Sequence, residues 1–151
     1  MLLLFIVFIC TKCDGTLAGF NIISIPISKK KIEIALDSLY SDYPKYKIPK
    51  KWEGDNDWSK RGYDFLESRI FYFQETPEEM YYVTFVGEKE TLKDPSHIDI
   101  AISSVFVGSK RKWIEKDFTR EEENRIQARF KSEIISKLEK YTNSKAKDLG
   151  Y

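Results

Sequence analysis

The sequence predicts an α+β fold: a two-layer sandwich in which a mostly antiparallel four-stranded sheet carries two helices on one face, in the order β-α-β-β-β-α. Three observations predict it. Runs rich in β-branched and aromatic residues, bounded by turn clusters, recur at 68–74, 79–86 and 98–107. Two segments, 28–40 and 119–141, carry apolar residues at three- and four-residue spacing, the mark of amphipathic helices. A length of 151 residues with 42% hydrophobic content suits one domain with a real core and excludes a disordered chain.

In chain order, FNIISIPI (20–27) reads as the first strand, with Pro26 restricting it to an edge or an end. Ser28 is placed to cap a helix on which Ile32, Ala35, Leu36, Leu39 and Tyr43 share a face. Lys29, Lys30 and Lys31 fall in its first turn, where the helix dipole disfavours positive charge, as a solvated face. SRIFYFQ (68–74) and EMYYVTFV (79–86) flank Glu75-Thr76-Pro77-Glu78, a hairpin connection. IDIAISSVFV (98–107) follows the turn Lys93-Asp94-Pro95-Ser96, with Ile98, Ile100 and Ile102 on a buried face and Asp99, Ala101 and Ser103 on a wet one. Thr119 and Glu122 form a capping box before a closing helix striped by Ile126, Phe130, Ile134, Leu138 and Tyr141. The tail, 142–151, is polar and expected to fray.

The strands at 68–74 and 79–86 carry large apolar groups on both faces, so two helices on one side leave aromatics on the other. Either the long 41–67 segment or water covers them, or they form an exposed patch for a partner.

The chain opens with MLLLFIVFIC, then TKCDGTLAG. Nine apolar residues are too few to span a bilayer, which takes about 20 as helix, but suit the apolar core of a secretory signal; a buried first strand or helix is the alternative. Cys10 and Cys13 follow directly, and no other cysteine occurs. The arrangement resembles a bacterial lipoprotein signal, and Cys13-Asp14-Gly15 is similar to lipoproteins of the Bacteroidetes type. The resemblance covers about 13 residues and implies a leader over 1–12, lipidation at Cys13 or Cys10, a tether over 13–19 and a single α+β domain over 20–141. It implies membrane attachment through lipid, on the periplasmic or outer-surface side, with secretion as the alternative. Processing at Cys13 removes Lys12, and the formal charge of 25 basic against 24 acidic residues becomes balanced. That balance argues against nucleic acid as a partner and against attachment through a basic surface.

Known chemistries find little to use. Cys-Thr-Lys-Cys lacks the strand-to-helix setting of a redox pair, and two cysteines with the single His97 make no zinc site. Asp55-Asn56-Asp57 fails EF-hand spacing from either aspartate. His97 with Asp99 and Ser103 or Ser104 lacks a nucleophile elbow. The scattered glycines form no phosphate loop, and Lys110-Arg111-Lys112 is a short, balanced cluster. The expectation is therefore no metal, no cofactor and no assigned catalytic residue, in an exported envelope protein that acts as a non-enzymatic interaction module with an envelope protein partner. Candidate partner- or ligand-binding residues are Trp52, Trp58, Tyr63, Phe71 and Tyr81, because aromatic side chains stack on sugars and anchor interfaces. Alternatives are a ligand- or glycan-binding protein built on the aromatic 43–65 segment, a carboxylate-based hydrolase, and an immunity-type inhibitor of a toxin.

Overall fold

The computed structural model describes residues 20–55, 68–107 and 118–150. Among the described residues the fold is α+β, with a fully antiparallel sheet of five strands and three α-helices. The strands are β1 (Ile22–Ile25), β2 (Ser68–Phe73), β3 (Glu79–Val86), β4 (Ile98–Val107) and β5 (Lys147–Gly150), and the helices are α1 (Lys29–Asp42), α2 (Arg120–Phe130) and α3 (Ser136–Thr142). The spatial order is β2-β3-β4-β1-β5. Strands β2 to β4 form the meander expected of consecutive strands, with Phe71 opposite Tyr81 and Met80 opposite Phe106. Strand β1 joins beside β4, pairing Ile23 with Ile100. Its C-terminal end comes just before Pro26, where the ladder can lose a donor without harm.

The fifth strand is a departure from the sequence expectation. The polar tail does not fray: Lys147–Gly150 pairs with the outer edge of β1. Nothing in its composition announces a strand, because none of its side chains is buried; the Asp148 carboxylate supports the backbone pairing by accepting from Asn21 and Lys131. The folded unit consequently reaches beyond residue 141, the expected boundary.

One sheet face is the main core. Ile23, Ile25, Phe71, Phe73, Tyr81, Val83, Ile98, Ile100 and Ile102 meet Ile32, Leu36 and Leu39 of α1 and Ile126, Phe130, Ile134 and Leu138 of the closing helices. Ser28 sits at the N-cap of α1 without a side-chain cap bond. Tyr43 is the C-cap of α1, not part of its apolar face, and is 37% exposed. The Thr119–Glu122 capping box forms in full.

Between α2 and α3 the helix widens into a π-helical stretch, Lys131–Ile135. The apolar stripe explains why. Positions 126, 130, 134 and 138 repeat strictly every four residues, and on a helix of 3.6 residues per turn each step drifts by about 40°. Three steps would carry Leu138 about 120° away from Ile126. The wider π turn takes back most of that drift, and all four side chains stay buried. Tyr141, beyond the stripe, is 38% exposed, and its hydroxyl donates to Asp42 of α1.

The second sheet face is covered, not wet. A separate cluster of Tyr72, Met80, Tyr82 and Phe106 lies there under Ile48 and Trp52. A register shift after Tyr82 places Tyr82 opposite Ser104 and Val83 opposite Ile102, and Ala101, Ser103 and Ser104 are all buried. The described part of the 41–67 segment thus folds over the aromatics, and they form no exposed patch. Among the described residues, no helix is long and apolar enough to cross a membrane.

Candidate functional site

The turn joining β2 to β3 sets two carboxylates in succession, and they engage opposite faces of the sheet. Glu79 starts β3 on the main-core side, with its side chain fully buried. It accepts hydrogen bonds from Arg125, from Arg129 Nη1 at 2.9 Å and from the Tyr81 hydroxyl at 2.8 Å. Arg129 also donates to the Pro77 carbonyl at 3.1 Å and stacks its guanidinium 5.5 Å from the Phe73 ring. Burying a charge is tolerable only when it is paired and hydrogen-bonded, and two arginines with one tyrosine meet that requirement. Burial first, and then the Glu79 charge with its hydrogen bond, push the Tyr81 hydroxyl far above its ordinary value.

Glu78 works on the second face. It accepts from Lys51, from the Tyr72 hydroxyl and from Trp52 Nε1 at 3.1 Å. Those bonds, Lys51 first, then Tyr72 and Trp52, hold its carboxyl down at about 2. Burial, aided by the Glu78 bond, pushes Tyr72 up to about 12.

A third polar cluster lies along the same helix. Arg125, Arg129, Glu133 and Lys137 repeat every four residues beside the apolar stripe, and the π turn aligns both. Glu133 accepts from the buried Tyr46 hydroxyl, which more than any other group lowers the Glu133 carboxyl despite burial; Lys137 and Lys45 add to the lowering. The Lys137 ammonium lies 5.0 Å from the Tyr43 ring centre and 5.5 Å from that of Tyr46. Chemically, these groups join the hairpin to both layers. Every carboxylate in them is turned to a donor that holds the fold.

Of the expected site residues, Trp52 is half-buried and pinned. Its indole N–H is donated to Glu78, its ring meets Phe106 edge-on at 4.9 Å, and Lys51 lies over it at 5.4 Å. Phe71 and Tyr81 are both 0% exposed in the main core, so neither presents a surface to a partner. Their burial follows from strand parity, which puts 71 and 81 on the helix side and 72 and 80 on the other. Cys10, Cys13, Trp58 and Tyr63 lie outside the described residues, and so do Asn56, Asp57 and Lys110-Arg111-Lys112. His97 accompanies Asp94 and Ser96 in the turn before β4, 3.4 Å from the Asp94 carboxylate and 3.1 Å from the Ser96 hydroxyl.

Glu78, Glu79, Arg125 and Arg129 escaped the sequence reading. The signal available was the charged four-residue repeat 125-129-133-137 running beside the apolar one. Searches of protein families, of curated proteins and of solved structures each returned no match.

Proposed function

We propose that this chain is an exported, lipid-anchored protein of the cell envelope that acts as a non-enzymatic interaction module for an envelope protein partner. The observation that carries the reading is the leader: MLLLFIVFIC-TK-Cys13-Asp-Gly, an apolar run closed by cysteines and followed at once by a short linker. Lipid attached at Cys13 supplies the membrane attachment that a charge-balanced domain does not. Residues 14–19, fully extended, reach at most about 20 Å, and Phe20 is already buried against Phe118 with ring centres 6.0 Å apart. The domain is therefore held close to the bilayer that carries its anchor. The saturated Glu79 cluster supports a rigid scaffold, since its charged groups are spent on joining strands to helices.

The test is metabolic labelling with a fatty-acid analogue of the wild type, Cys10→Ala and Cys13→Ala. Label that disappears in Cys13→Ala and persists in Cys10→Ala is the expected result. No label in the wild type overturns the anchor.

A further inference from the structure

Residues 143–150 are fixed to the domain by polar contacts rather than by burial. No residue of β5 is buried, and Leu149 is 49% exposed. Its register with β1 is also broken: Ile22 faces Gly150 while Ile23 faces Asp148, so Leu149 bulges out of the ladder. Every buried residue of the main core lies at or before Leu138, and of this segment only Ala146, partly buried, packs against it. Ordering a segment costs conformational entropy, and little apolar burial offsets it here.

Two carboxylates supply what burial does not. At the turn, Asn143 takes a left-handed φ of 49°, and Glu139 accepts from the Ala146 N–H at 2.8 Å and from the Lys145 ammonium at 3.3 Å. Within the strand, Asp148 accepts from the Asn21 amide at 3.1 and 3.2 Å, from the Gly150 N–H at 2.8 Å and from the Lys131 ammonium. Asn21 stands just before β1 and Lys131 opens the π-helical stretch, so one carboxylate ties β5 to both layers. The Asp148 and Lys131 side chains keep 30% and 45% of their surface exposed, so water and salt reach the pair. Lys147 precedes Asp148 on the strand, Glu123 of α2 lines a hollow with Asn21 and Lys131, and β1 carries no titratable side chain. Burial raises the Asp148 carboxyl, and the bonds from Lys131, Gly150 and Asn21 outweigh it, leaving the group below its ordinary value. A carboxyl lowered in this way stabilises the fold above its unfolded value and loses that contribution as pH falls through the folded one.

We propose that residues 143–150 form a clasp that opens as a unit from a domain that stays folded, released when Asp148 is protonated or when salt screens it from Lys131. Opening uncovers the outer edge of β1 together with Asn21 and Lys131. The clasp is a local unit of low stability set on a core that is complete without it.

Nitrogen-15 NMR of the full chain tests the clasp. On acidification the amides of 147–150 should move to unstructured positions with a midpoint below 3.8, while those of β3 and β4 keep their shifts. At neutral pH, Asp148→Asn and Lys131→Ala should each speed hydrogen exchange of the β5 amides by about fivefold or more. Both variants should leave β3 and β4 unchanged, and Lys131→Arg should keep β5 protected. Salt at about 1 M, where screening is nearly complete, should speed β5 exchange in the wild type and not in Asp148→Asn. Loss of β5 only with global unfolding overturns the proposal, as does β5 protection in Asp148→Asn equal to that of the wild type. An acid transition of β5 that persists in Asp148→Asn moves the response to Glu139 and overturns it too.

Discussion

Glu79 is the residue on which the two layers depend most. Its buried carboxylate ties the start of β3 to α2 through Arg125 and Arg129, and to the core through Tyr81. Removing one partner of a buried ion pair leaves the others uncompensated, a loss of about 3–5 kcal/mol. Arg125 and Arg129 keep 36% and 17% of their side chains exposed, so water recovers part of it, and Glu79→Ala should lose about 3 kcal/mol in urea unfolding. Glu78 next door makes a pH prediction. Its carboxyl sits at about 2 in the folded protein against an ordinary 4.5. A depressed carboxyl stabilises the fold above its unfolded value and loses that contribution as pH falls through its folded one. The bonds at Glu78 should thus hold fully above pH 4.5 and fail toward pH 2. Lys51→Ala, which removes the largest cause, should raise the Glu78 midpoint toward its ordinary value in a carbon-detected NMR titration.

At the level of elements, the closing helix shows what a pattern can and cannot reveal. Ile126, Phe130, Ile134 and Leu138 were readable as one buried stripe, and all four are buried. The π turn that makes the stripe straight was also implicit, since a strict four-residue repeat does not fit 3.6 residues per turn. A π turn amounts to one extra residue in an α-helix, so deleting Ser132, which is exposed, should let the helix close to regular α geometry. Its thermal midpoint should change little. Inserting an alanine after Ser132 rotates Ile134 and Leu138 by about 100°, and that variant should lose at least about 2 kcal/mol, in line with removal of core side chains. Strands β2, β3 and β4 were legible within a residue of their ends, because β-branched and aromatic runs between turn clusters carry their own signal. Strand β5 was not, because an exposed strand with no buried side chain leaves no hydrophobic pattern. The register shift in β4 was equally silent, since Ser103 carries no mark of an extra residue in the ladder.

At the level of the whole molecule, the sequence read the α+β class and the helix-covered face correctly but left open what lies on the other side of the sheet. Trp52 settles the described part: it lies over Phe106 and bonds Glu78, acting as a cover on the second face. Aromatic residues of the kind that bind sugars also pin loops, and composition alone does not separate the two uses; hydrogen-bond partners do. Trp52→Ala should loosen the 50–55 segment and cost stability, read as faster exchange of the β2 and β3 amides. Glu78, Glu79 and Trp52 are thereby assigned to the scaffold. The proposed envelope role depends on the anchor, and intact mass of the N-terminal peptide from the mature protein tests it most directly. A lipid-anchored module predicts a peptide that begins at Cys13 and carries the added mass of an acylated glyceryl group joined to its sulfur. A mature protein that retains Met1, with both Cys10 and Cys13 unmodified, would contradict it.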